Sequence, residues 1–323
     1  MITQTKLENL AEKYEVEDFI KNDPIQFPHR FTSRHCETLV SGSDAQYTPK
    51  QRILARVSET KLVLARETTL SRAANNPRQS PSHLQDIEIA AFVSSLFAYG
   101  NRKIFIKKLD ELFKIMQNKP LDFVLNFNPE KLKGFNYRFA KDFDVIEVFN
   151  ILHKLYKHDG GLKKLFEYGY SLPSPFAGEE IFQHEERVLE NLVRGKLQTM
   201  LQAVTDYFYS NVKNEVSMGF YHLIPNPKNG GAMKRMNMFL RWMVRKAPVD
   251  LGLWDFIPAS ELLIPLDVHV ARLSRKMGLL KRNSNDFKAV LELTEKLKEF
   301  EAQDPVKFDF AIFGLGVNGG MEV

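Results

Sequence analysis

Two residues carry the chemistry that this sequence offers most plainly, Lys234 and Asp267. A lysine amine is a nucleophile once it loses its proton, and a carboxylate within reach moves that proton or steadies a developing positive charge. Lys234 follows the turn cluster Pro225-Asn226-Pro227-Lys228-Asn229-Gly230-Gly231 and stands in the first turn of a predicted helix. In that helix Met236, Phe239, Leu240 and Met243 recur at three- and four-residue steps. Asp267 follows Ile264-Pro265-Leu266 where a second helix, with Val270, Leu273 and Met277 on one side, is expected to begin. Their separation of 33 positions suffices for one helix and a return loop, so the two helix starts can meet. Gly230 and Gly231 suit a tight turn and leave backbone N–H groups uncovered, and N–H groups at a helix start favour an anion such as phosphate.

Each residue has a plainer reading. Lys234 could grip a phosphate or simply face solvent, and Lys228 and Lys246 are rival lysines at the turn and at the far helix end. Asp267 fits an N-cap, a role that holds the carboxylate rigid and is compatible with chemistry. His269 and Arg272 follow it, His269 as a cleft residue or a structural hydrogen-bonding one. On the lysine's helix, Asn237 and Arg241 lie one helical step apart and share a face. Trp242 either stacks on a ligand or fills the core.

The remaining elements must position these groups. From Asp86, the residues Ile87, Ala90, Ala91, Ser94, Phe97 and Ala98 form one small, apolar helical face, and AYGNRK (98–103) bends the chain into another helix. Further helices are expected over 5–22, 104–117, 141–161, 162–169, 179–209, 286–302 and 305–313, with DPIQFPHRF (23–31) extended. No run alternates like a strand, so the fold class is all-α. Asp86 and Glu88, with Arg102 beyond the bend, offer opposite charges that could support a cleft, and Asp86 also suits a helix cap. FGLGVNGG (313–320) lacks the strand-turn-helix setting of a nucleotide loop and reads as a tail on the core.

Composition narrows the classes. An apolar content of 44% is ample for a core, and a net charge of +5 is compatible with nucleic acid without demanding it. Cys36 is the sole cysteine, which excludes an intramolecular disulfide and a four-cysteine iron–sulfur cluster within one chain. Eight histidines without a ligand array argue against a dedicated metal site, and no cofactor is expected. The polar N-terminus and the lack of a long apolar run point to a cytoplasmic protein without membrane contact. Residues 33–83, with seven basic residues between Lys50 and Arg78 against Glu59 and Glu67, read as a solvated excursion or a basic arm for a phosphate backbone.

Several runs together resemble the DUF2400 family over most of the chain: DPIQFP (23–28), DIEI (86–89), KRMNMFLRWMVR (234–245), GLWDFIP (252–258), IPLDVHVARL (264–273) and DPVKFDFAIFGLGVN (304–318). This family resemblance, carried by the runs that flank them, implies that residues 33–83 are an insertion. More distantly, the hairpin-fed lysine helix and the later Pro-x-Asp element resemble the helix-hairpin-helix DNA glycosylase superfamily, in the layout of its archaeal 8-oxoguanine glycosylase branch. That resemblance implies one two-lobed helical unit over 1–323, with a cleft between lobes and the active-site region in 225–280. The N-terminal region and last helices would form one lobe and the middle helices the other. It implies a DNA glycosylase-like protein, with or without abasic-site lyase activity, acting on an extruded damaged base in double- or single-stranded DNA. Lys234 would be nucleophile and Asp267 the catalytic carboxylate. Lys228, Asn229, Gly230, Gly231 and Arg235 would bind the DNA backbone, and Asn237, Arg241, Trp242 and His269 are pocket candidates. A non-catalytic nucleic-acid binder of the same fold and a structural scaffold remain the alternatives; protein partners are not indicated.

Overall fold

The computed structural model describes residues 2–14, 23–32, 81–173, 185–246 and 249–317, and among these the regular structure is helical, with isolated bridges in place of strands. The expected insertion at 33–83 falls almost wholly outside the described residues. Twelve α-helices are used here: α1 Gln4–Tyr14, α2 Pro81–Phe97, α3 Arg102–Ile115, α4 Pro120–Leu125, α5 Asp142–Lys154, α6 Leu162–Ser171, α7 Glu185–Ser210, α8 Met218–Leu223, α9 Lys234–Val244, α10 Val268–Lys276, α11 Phe287–Lys298 and α12 Asp309–Val317. No helix of the described residues is long and apolar enough to cross a membrane.

The central helix is α9, whose residues from Arg235 to Val244 are all buried. It packs on α2, where Ala90, Ala91, Ser94 and Ser95 are buried and small enough to let the helices approach. Phe92 of α2 meets Phe239 of α9 edge to face at 5.3 Å between ring centroids. The C-terminal end of α9 is closed by its own exit loop: Leu251 N donates to Trp242 O at 2.8 Å and Trp254 N to Met243 O at 2.7 Å. These bonds satisfy carbonyls that a helix end otherwise leaves open.

The chain's first and last helices pack together. α12 lies against both α1 and α10. Gly314 is the point of closest approach, because a Cβ there would sit 2.5 Å from the Tyr14 ring. The expected C-terminal tail is therefore helical through Val317, with its glycine serving a helix contact.

Two local expectations are corrected. The stretch around DPIQFPHRF is not extended: residues 26–32 are helical, started by Asp23, whose Oδ1 accepts from Ile25 N at 3.1 Å. Asp86 does not cap its own helix, which begins at Pro81; its Oδ1 accepts from Leu121 N at 2.8 Å and so caps α4.

Candidate active site

The hairpin that feeds α9 is built from short-range geometry. Asn226 accepts from Lys228 N at 2.9 Å, which starts a 3-10 turn over Pro227–Asn229. Gly230 takes the left-handed conformation, φ 70°, as a turn glycine does readily. Gly231 does not need it and forms a bridge to Asp286, while Phe287 N donates to Gly230 O at 2.9 Å. These contacts pin the hairpin to the start of α11. Met233 is also left-handed, φ 49°, and no side chain caps α9. Lys228, Asn229, Gly230 and Gly231 are exposed together beside that helix start.

Lys234 is the first residue of α9 and Asp267 the N-cap of α10. Asp267 divides its oxygens: Oδ1 accepts from His269 N and Val270 N, both at 2.8 Å, and Oδ2 lies 3.5 Å from Lys234 Nζ. Capping and pairing thus occur in one side chain, and the cap fixes the oxygen that meets the amine. The Lys234 side chain is 34% exposed and that of Asp267 12%, so the amine can be reached while the carboxylate is mostly shielded.

Both open on a cavity of about 770 Å³. It is lined by Tyr99, His222 and Arg235, by Asp309, Phe310 and Phe313 of α12, and by Met238, Trp242 and Pro265. Asp23 and Arg102 pair at 3.1 Å on its rim. His269 is exposed at the cavity, its ring 6.5 Å from Phe313.

Several candidates sit elsewhere than expected. Arg235 is not a surface contact for a DNA backbone. It is buried, with Nη1 donating to Leu96 O at 2.6 Å and Nη2 to His222 O, its guanidinium 5.0 Å from the Tyr99 ring centroid. Burial pulls its pKa down to about 10. Arg235 lies on the same stripe as Phe239 and Trp242, four and seven residues on, and that spacing was the available sign that it points inward. Asn237 is buried and holds the hairpin, donating to Ala232 O at 3.2 Å, and it is not among the residues of the cavity wall. Trp242 has no exposed surface, so it acts as a core residue that also borders the cavity. Arg241 is among the residues that line the cavity, but it does not share a polar surface face with Asn237. It donates from Nε and Nη2 to Asp250 Oδ1 at 3.2 and 3.1 Å and from Nη1 to Asp309 Oδ2, deep in the core. Glu88 lies away from this cavity, buried beneath the backbone N–H of Lys163, and burial pushes its pKa to about 7.

The sequence singled out neither Asp309 nor His222. Burial pushes the Asp309 carboxyl up to about 6 against the opposing pull of Arg241, with Asp267 adding and Lys234 subtracting. Burial, assisted by Arg235 and Arg138, holds His222 down at about 4, so its ring is neutral. Its Nε2 is buried without a hydrogen-bond partner. No cluster of three metal-ligating side chains occurs among the described residues.

The site therefore joins a lysine amine, a fixed carboxylate and a partly open cavity lined by aromatic and charged residues, beside an exposed glycine hairpin. Residues 77–318 match the model of a family described as a protein of unknown function, DUF2400. No curated protein and no solved structure matches the chain.

Proposed function

We propose that this chain, which belongs to the DUF2400 family, is a DNA glycosylase-like enzyme that attacks an extruded nucleotide through Lys234. The observation that carries the reading is the 3.5 Å approach of Lys234 Nζ to Asp267 Oδ2 on a cavity of about 770 Å³. A lysine paired to a carboxylate on an open surface would be an ordinary ion pair. Here the pair borders a space within the usual range for a small-ligand site, roughly 300–1,000 Å³. The exposed hairpin residues Lys228, Asn229, Gly230 and Gly231 support backbone binding, where N–H groups and cations hold phosphates without reading sequence. The packing of α1 and α12 with α10, set against α9 on α2, supports the two-lobed helix-hairpin-helix arrangement.

In this reading Asp267 takes a proton from the Lys234 ammonium. The freed amine forms a bond to C1′ as the glycosidic C1′–N bond breaks, and the electron pair leaves with the base, which acquires a proton. The nitrogen, now a secondary ammonium, gives up one proton to O4′; the pair this frees forms C=N as the C1′–O4′ bond opens, leaving a protonated Schiff base on Lys234. Extrusion of the nucleotide is required because C1′ and the base cannot be handled inside the stack.

The test is base release and borohydride trapping on oligonucleotides carrying single oxidised, deaminated, alkylated or abasic sites, with wild type and Lys234→Met compared. Adducts formed by wild type and lost in the variant support the reading. Salt-sensitive DNA binding with neither adduct nor base release replaces it with the non-catalytic binder, and no binding removes nucleic acid altogether.

A further inference from the structure

Beneath the Lys234–Asp267 pair lies a second set of ionised groups. Arg241 is shared by Asp250 and Asp309, and Arg245 by Asp250 and Asp304. Taken with Lys234 and Asp267, the described residues place three cations against four carboxylates. Asp304 is 28% exposed and in contact with water, whereas the Asp250 side chain is fully enclosed between two guanidiniums. Asp309 shares a single guanidinium and lines the same cavity as the lysine. A buried excess anion is costly unless it takes a proton. Asp309 is the member of the cluster best placed to do so.

We infer that Asp309 is the acid of this site, handing a proton to the departing base while Asp267 receives the one that Lys234 sheds. The inference rests on the glycosylase-like reading above. Asp267 is poorly suited to both tasks, because Oδ1 is occupied by two backbone N–H donors and Oδ2 by the lysine. On Asp309, Arg241 Nη1 occupies Oδ2, and Oδ1 is the oxygen left for a ligand. The proton passes from the Asp309 carboxyl to the base nitrogen as the C1′–N electron pair arrives there, and Asp309 is left as the carboxylate that Arg241 stabilises.

The groups that face Asp309 set its titration. Burial raises it to about 6, Arg241 and Lys234 of α9 lower it, and Asp267 at the start of α10 and Asp250 beyond α9 raise it. Asp23 acts on the same Arg241, and α1 presents Tyr14 to α12 further along, at Gly314. An acid with this value is protonated below about 6 and loses its proton as the pH rises through it. Excision therefore has a descending limb there, which adduct formation at an abasic site, having no base to expel, lacks.

Asp309→Asn separates the two reactions. Using the oligonucleotides above, the variant should trap abasic sites within a few-fold of wild type, while excision falls by a factor of about a hundred or more and its descending limb disappears. Excision by Asp309→Asn at the wild-type rate overturns the assignment, as does wild-type trapping of abasic sites with no base released from any of these oligonucleotides. If the variant traps nothing, because Arg241 has lost one of its two carboxylates and the site has not formed, the wild-type profiles decide. A limb near 6 in excision alone supports Asp309, and its presence in both reactions or neither overturns it. A wild type that traps no abasic site removes the underlying reading, a failure distinct from loss of excision alone.

Discussion

Replacing Asp250 is the sharpest test of how α9 is held in place. Its carboxylate accepts from Arg241 Nε at 3.2 Å and Nη2 at 3.1 Å, and from Arg245 Nη1 at 2.8 Å, with no side-chain exposure. Each charge-assisted bond is worth about 1.5–3 kcal/mol, but three such values do not add, because the groups were desolvated to make them. Burial pushes the Asp250 carboxyl up even between two guanidiniums, which shows how large that desolvation is. What decides the outcome is the state left behind: two enclosed cations that have each lost a carboxylate partner. Breaking a buried pair in this way costs roughly 3–5 kcal/mol. Arg241 retains Asp309, and Arg245 retains Asp304 at 2.8 and 2.9 Å, so the low end applies. Asp250→Asn should therefore lower unfolding free energy by about 3 kcal/mol, a large share of the roughly 5–15 kcal/mol typical of a folded protein. Urea denaturation should show a lower midpoint at unchanged slope. A loss under about 1 kcal/mol would mean that the network is not a buried, dry one, and the reasoning about α9 and about Asp309 would fail with it.

Three other outcomes follow from the same geometry. Asp267→Asn should keep most of the cap on α10 and lose the lysine's proton acceptor, so adduct formation drops with little change in melting temperature. Asp267→Ala should cost about 1 kcal/mol besides, and a normal rate in Asp267→Asn would remove the carboxylate from the chemistry. Lys228→Ala should weaken DNA binding and flatten the dependence of log affinity on log salt by about one unit; an unchanged slope would place the hairpin off the DNA. Glu88 has a folded pKa near 7, above its ordinary 4.5, so the folded state binds the extra proton and stability falls as the pH climbs between those values. Glu88→Gln should remove a loss on the order of 3 kcal/mol across that window, read by chemical denaturation at pH 4.5 and 8; a retained slope would assign it to other groups.

The helices were legible in the sequence because their apolar residues recur at helical spacing and their ends carry turn residues, as at Gly230 and Asp267. The meeting of Lys234 and Asp267 followed from the same signals, two helix starts separated by one helix and a return. What escaped were polar residues whose remote partners do not sit at a helix start that the sequence marks. Asp309 stands alone in the apolar run Phe308–Ile312, and the arginine that gives it meaning is 68 residues earlier. Arg235 looked like a surface cation because its acceptor, Leu96 O, is 139 residues away. The helical turn at 26–32 was hidden by two prolines, at 24 and 28, that read as extended chain; Pro28 falls in the first turn of the helix, where a proline is tolerated. Periodicity reports which face is buried, and it is silent on which buried charges find each other.

The most direct measurement of the central claim is to reduce the protein with borohydride on an oligonucleotide bearing one abasic site, digest the product, and locate the modified lysine by mass spectrometry. The account predicts a sugar remnant on Lys234 and none on Lys228 or Lys246. An adduct on another lysine, or none under conditions where the protein binds the same DNA, would contradict it.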